Sequence, residues 1–123
     1  MSERFSKARR VRRRREFQRV FDLSLRIRGQ YFTVLMAANA ESRPRLGIVA
    51  SKKLGDAVHR NRAKRLIREI FRRSDMQTVR RGVDFVVIPR REVFDAPYSS
   101  IESDLRSTLK RGAARVPSAD ASR

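Results

Sequence analysis

Cysteine is absent from the 123 residues, which excludes disulfides and thiolate metal sites and is compatible with a reducing cytoplasm. A single histidine, His59, leaves no second imidazole for a metal site, which needs several ligands. No apolar run approaches the ~18–20 residues of a spanning helix, so a membrane is not an expected partner. The N-terminus is basic, but no apolar segment follows it, so it does not read as a secretory signal. Acidic side chains are scarce, 13 Asp and Glu against 31 Lys and Arg. They do not gather into the acid–base pair or carboxylate cluster that an RNA hydrolase built from protein alone would need. Glu102, Asp104 and the solitary Asp84 read as capping and surface charges, and Asp95 before Ala96-Pro97 as a turn residue. His59 falls beside the apolar face of its helix and reads as a half-buried packing residue.

What is present is positive charge. A formal net charge of +18 opposes compaction through self-repulsion, which a large anionic partner, nucleic acid above all, would relieve. Hydrophobic residues still make up 40%, enough for one modest core at this length. The expected organisation is a basic flexible arm over residues 1–15, a single RNA-binding domain over 16–112, and a frayed tail over 113–123.

The charge is most ordered in SKKLGDAVHRNRAKRLIREIF, residues 51–71. Residues 57–73 contain neither Pro nor Gly and carry apolar residues at helical spacing, which predicts a helix. At 100° per residue, Ala63, Leu66, Ile67 and Ile70 cluster on one side. Asn61, Lys64, Arg65, Arg68 and Arg72 fall opposite. One face can pack while the other offers cations and an amide to a polyanion.

Elsewhere the pattern predicts a short helix over 16–25 with Phe17, Val20 and Phe21 on one face, preceded by Arg13 and Arg14 where a polar cap is expected. Cations there oppose the helix dipole, so a phosphate is the expected counterion. Gly29 ends that pattern. A strand over 31–37 places Tyr31, Thr33 and Leu35 on one face and Phe32, Val34 and Met36 on the core face. Residues 39–44 have hairpin length before a strand over 45–51. VDFVVI, ended by Pro89, reads as a buried strand. Ser99 and Glu102 have capping-box spacing before a last helix carrying Ile101, Leu105 and Leu109, with Gly112 as its stop. Arg90 and Arg91 read as an extension of the basic surface. The order predicts an α+β fold: one small sheet with helices packed on it, and the face bearing Tyr31 left uncovered.

The run from Ser51 through Lys52-Lys53, Gly55, Arg60-Asn61-Arg62, Lys64 and Arg65 to Glu69 resembles the signature of the bacterial ribonuclease P protein subunit. The likeness extends over residues 9–111. It implies a two-layer α/β sandwich with a small, mostly antiparallel sheet, the order α-β-β-α-β-α with room for an extra short strand, and a left-handed crossover through the basic helix. It also implies a subunit that binds the catalytic RNA and the 5′ leader of precursor tRNA, while the RNA carries the chemistry and the Mg²⁺. No organic cofactor, no catalytic or metal-binding residue in this chain, no obligate protein partner and a cytoplasmic location are expected. By resemblance, Lys53, Arg60, Asn61, Arg62, Lys64, Arg65 and Arg68 face the catalytic RNA. Arg13, Arg14, Phe17, Phe21, Tyr31 and Lys52 face the leader, the aromatic side chains as a stacking platform. Phe17 is then expected partly exposed to the cleft and Phe21 more buried. Asp56 stands where the family more often has Asn, in position to cap the basic helix. The competing readings are a ribosomal or other structural RNA-binding protein and a DNA-binding architectural protein. The lack of a helix-turn-helix pattern argues against the latter.

Overall fold

The structure, a computed structural model, describes residues 10–11, 13–39, 43–74 and 82–116. Its elements are α1 (Arg14–Leu23), β1 (Leu25–Arg28), β2 (Phe32–Ala38), β3 (Arg45–Ile48), α2 (Ala57–Arg73), β4 (Val83–Pro89) and α3 (Tyr98–Arg115). Short 3-10 turns occupy Lys52–Leu54 and Arg91–Asp95. This is the expected α+β architecture, with the extra short strand found at β1.

The sheet order is β1-β2-β4-β3, antiparallel at the first two pairings and parallel between β3 and β4. The hairpin expected between β2 and β3 is therefore not formed, because β4 lies between them. The reason is in the side chains. Asp84, Val86 and Val87 are all fully buried, so β4 is covered on both faces and belongs in the centre. A parallel β3–β4 pair cannot be joined by a tight turn, and α2 supplies the crossover.

The main core lies between the sheet and α2 with α3. Phe32, Val34, Met36, Leu46, Phe85 and Val87 meet Ile67, Ile70 and Phe71 of α2 and Ile101, Leu105 and Leu109 of α3. Each such side chain contributes about 1.5–3 kcal/mol when fully buried. A second, smaller cluster forms on the other face, where Val20 of α1 covers Leu35, Ala37 and Val86. The face expected to be uncovered thus carries α1 as a partial layer.

Several boundaries differ from the sequence reading, among them the end of β3 at Ile48 rather than at residue 51. The first helix stops at Leu23, and Leu25 starts a strand. Leu25 stands at i+4 from Phe21 and fits a helical count, yet Leu-Arg-Ile-Arg also alternates with period two, and pairing with β2 decides for the strand. The last helix starts at Tyr98 behind Pro97, so Ser99 lies inside its first turn and does not cap it. Gly112 does not end that helix. It is a contact residue: a Cβ there would run into Sδ and Cε of the buried Met36. The helix continues, and Ala113 and Val116 join the core.

The domain also begins earlier than residue 16. Val11 is 4% exposed, and its N–H donates to the Leu46 carbonyl at 2.9 Å while Arg10 bridges Leu46 in parallel fashion. The rest of the expected arm, residues 1–9 and 12, lies outside the described residues, as do 40–42, 75–81 and the tail from 117 onward.

Candidate nucleic-acid interface

Two basic surfaces share this frame. The first is α2. Asp56 caps it as expected: its Oδ1 accepts the His59 N–H at 3.0 Å and lies 2.8 Å from His59 Nδ1. These bonds, that from the backbone N–H first, hold the Asp56 pKa below the ordinary carboxylate value. His59 is exposed rather than half-buried, meeting the edge of Phe94 at 5.2 Å between ring centroids. The cap turns the helix start so that His59 leans over the 3-10 turn instead of the core. Ala63, Ile67, Ile70 and Phe71 face inward. Asn61, Arg62, Arg65 and Arg68 are exposed, as is Lys53 in the preceding 3-10 turn, while Arg60 and Lys64 are half-buried. Arg72 and Arg73 both reach Glu69, at 3.0 and 2.8 Å. Burial and then the nearby charge of Arg10 lower the Arg68 pKa, a local excess of cation that a phosphate would offset. Nε of Arg60 and of Arg10 are buried with no hydrogen-bond partner among the described residues.

The second surface is the α1 face of the sheet, which the register divides into rows. At one end, Asp84 is fully buried, not the surface charge that its sequence context implies. Arg45 grips it through Nε–Oδ1 and Nη2–Oδ2, both 2.8 Å, and Asn39 Nδ2 adds a third bond at 2.6 Å. These bonds, outweighing desolvation, raise the Arg45 pKa above its usual value. A carboxylate can lie this deep only because it is so fully paired. Arg45 Nη1 also reaches Glu16 at 3.1 Å, and the other Glu16 oxygen accepts the Arg13 N–H at 3.0 Å, closing the uncapped start of α1. Arg19 lies 3.7 Å from Asp84 and donates to the Ala38 carbonyl. One ionic network therefore fixes α1 across the strands.

The middle row, Gly47–Val86–Leu35–Arg26, passes under α1. Its approach is close: a Cβ on Gly47 would lie 2.8 Å from both Phe17 Cε1 and Val11 Cβ. The third row, Val49–Ile88–Thr33–Arg28, is half-open and forms the floor of a cleft. Phe17, Val49 and Ile88 are all partly buried against the cluster under α1, so Phe17 lies at the edge of this floor. Because Glu16 and Arg19 lie on the flank of α1 toward Asp84, helical geometry sends Arg14 and Phe21 to the flank above this floor.

Arg13 and Arg14 are exposed at the helix start, and Lys52 is exposed beyond the Val49 end. Phe17 is half-buried and Phe21 is 44% exposed, the reverse of the expected order, because Phe17 seals the cluster under α1. Tyr31 precedes β2, half-buried and packed against the main core cluster, with its N–H held by Asp104 at 2.8 Å. Phe17 and Tyr31 thus pack into different clusters, and the three rings do not form one stacking platform. Asp104 pins the β1–β2 turn by accepting the N–H of Gln30 and of Tyr31, and it caps no helix. Arg90 is also structural: half-buried, it donates to Thr33 Oγ1 at 2.8 Å and to the Gly29 carbonyl. Asp95 belongs to a 3-10 turn.

Together these features make a two-sided cationic surface with an apolar, half-open groove beside it. Alternation places Thr33 on this face, but periodicity does not reveal the floor residues Val49 and Ile88, nor Arg26 and Arg28, whose alternation with Leu25 and Ile27 is the available signal. Among the described residues no three His, Asp or Glu side chains converge as a metal site would require, and no helix is long and apolar enough to cross a membrane.

A family model described as Ribonuclease P matches residues 5–113. The chain is 37% identical to the ribonuclease P protein component of Thermotoga petrophila over 115 residues, spanning 90% of this chain and 97% of that one. It is 39% identical to that of Streptococcus pneumoniae serotype 4 over 101 residues, covering 82% and 81%. Among solved structures, the RNase P protein of Thermotoga maritima aligns with a TM-score of 0.74 at 39% identity, over 83% of this chain and 96% of that one. The Staphylococcus aureus RNase P protein aligns with a TM-score of 0.76 at 35% identity, over 89% and 98%.

Proposed function

This chain belongs to the ribonuclease P protein family, and we propose that it serves that ribonucleoprotein by holding the catalytic RNA on α2 and the 5′ leader of precursor tRNA in the α1 cleft. Its role as the protein component of a tRNA 5′-processing enzyme follows from the family. The division of its surface is our reading. What carries it is the pairing of a cationic helix face with a separate half-open groove edged by Phe17, Phe21 and Arg14.

On α2, Arg60, Asn61, Arg62, Lys64, Arg65 and Arg68, with Lys53 before the helix, meet phosphates and riboses of the catalytic RNA. Arg supplies forked contacts and Lys a point charge. In the cleft, Arg13, Arg14 and Lys52 hold the leader backbone, and the exposed ring of Phe21 with the edge of Phe17 offers a sequence-tolerant stacking surface. Tyr31 contributes at the end of the cleft through its exposed part. The Mg²⁺ that the reaction needs is assigned to the RNA. The donors lining the cleft are guanidinium, ammonium and hydroxyl groups, which do not fit a divalent cation, so no step here runs through a metal. The chain then acts by orienting the substrate next to the RNA's reactive groups, in the cytoplasm. The reading as a ribosomal or structural RNA-binding protein is not favoured, since the relatives carry the ribonuclease P name.

Two variants test the division. Arg62→Ala with Arg65→Ala should weaken binding to the catalytic RNA and make its salt dependence shallower, leaving the preference for precursor over mature tRNA in the assembled enzyme. Phe21→Ala should reduce that preference several-fold, on the scale of the ~1–3 kcal/mol of a stacked base. Equal losses for precursor and mature tRNA on Phe21→Ala would sink the leader assignment.

A further inference from the structure

We infer that Arg26 and Arg28 form a distal leader site, a pair of guanidinium groups on the free edge of the sheet that take backbone phosphates upstream of the nucleotides in the aromatic cleft. The inference rests on the cleft being the leader path. β1 is the terminal strand, with no neighbour on its outer edge among the described residues. Its Leu25 and Ile27 turn to the main core, so Arg26 and Arg28 stand on the α1 face, both exposed. Register puts Arg28 beside Thr33, at the end of the cleft floor, and Arg26 beside Leu35.

Three features make this corner a phosphate site. Neither guanidinium has an ion-pair or side-chain hydrogen-bond partner among the described residues. The nearby carboxylate, Asp104, spends one oxygen on the Gln30 N–H and the other on the Tyr31 N–H, each at 2.8 Å. A further cation, Arg90, already sits against Thr33 and Gly29, so the corner gathers positive charge with its acid engaged elsewhere. Alternate side chains on a strand stand about 6.7 Å apart, close to the repeat of successive phosphates in an extended single strand. Direction follows from the row. Its Val49 end leads to Lys52 and α2, where the catalytic RNA binds, so a strand leaving the scissile bond reaches Arg28 last.

Edge charges also discourage strand-to-strand association, and that role alone requires no link to leader length. The experiment is therefore a leader-length series. The enzyme is reconstituted from a bacterial ribonuclease P RNA with wild-type chain, Arg26→Ala/Arg28→Ala, or Arg26→Lys/Arg28→Lys, and precursor tRNAs with leaders lengthened by single nucleotides are titrated. Wild type should gain affinity with length until the distal site fills. The alanine pair should reach its plateau at a shorter leader, and its salt slope on long leaders should be shallower by about 1.4, two single-strand phosphate contacts. The lysine pair should keep most of the gain. Thermal melting verifies that each variant is folded, which exposed edge positions favour. An unchanged length profile, or an equal loss at every length, would overturn the proposal. Phe21→Ala separates the two levels. Normal loss of precursor preference there with an unchanged length profile removes the distal site alone, whereas no loss there removes the cleft reading beneath it.

Discussion

At the scale of single residues, buried ionic bonds rather than exposed charge hold the site. Asp84 is fully buried, and its partners Arg45, Asn39 and Arg19 come from three other elements or their ends. Asp84→Asn leaves the Arg45 guanidinium with only its outer carboxylate partner, Glu16, and loss of one partner of a buried pair costs about 3–5 kcal/mol. Urea unfolding should register a loss of that order, and a change below about 1 kcal/mol would contradict the role given to the network. Asp56 yields a pH prediction. Its folded pKa lies below the unfolded value of about 3.9, so its contribution is complete above that value and is lost as pH falls through the depressed one. Stability measured from neutral pH down to about pH 3 should therefore fall less steeply in Asp56→Asn, which keeps a capping side chain but no titration. Identical acid limbs would remove Asp56 from the account.

At the scale of elements, α2 was legible in full because three signals agree on it. An acidic cap, an uninterrupted 3.6-residue period and the absence of Gly and Pro give Ala57–Arg73 in sequence and structure alike. The strand pairing was not legible. Nothing local tells β2 that its neighbour is β4 and not β3, since that choice depends on which strand can be covered on both faces. Nor were the roles of Phe17 and Phe21, which share one helical face and differ only in what the sheet places beneath them. Gly112 misled because a glycine near a helix end usually stops it, whereas here a buried methionine needs the space. Gly112→Ala should accordingly destabilise by about 1–3 kcal/mol from overpacking, partly offset by the ~1 kcal/mol helix preference of alanine. In a Met36→Ala background the same change should become neutral or stabilising. Additive effects in a double-mutant cycle would contradict that contact.

At the scale of the whole molecule, a charge of +18 on one small domain sets the balance between stability and function. The cations that hold RNA repel one another without it, so the free protein should melt higher as salt rises from ~0.01 M to ~0.15 M, where the screening length shrinks from about 30 to 8 Å. Phosphate should exceed chloride at equal ionic strength, because it occupies the arginine clusters besides screening them. A melting temperature indifferent to salt would show that self-repulsion is not limiting. The central claim concerns the assembled enzyme, in which this chain contributes binding and the RNA contributes chemistry. The most direct measurement is cleavage of a precursor tRNA by a bacterial ribonuclease P RNA at low Mg²⁺, with and without this protein. Restored cleavage at the correct 5′ end is the predicted result. Tight binding to that RNA with no rescue of cleavage would contradict the account.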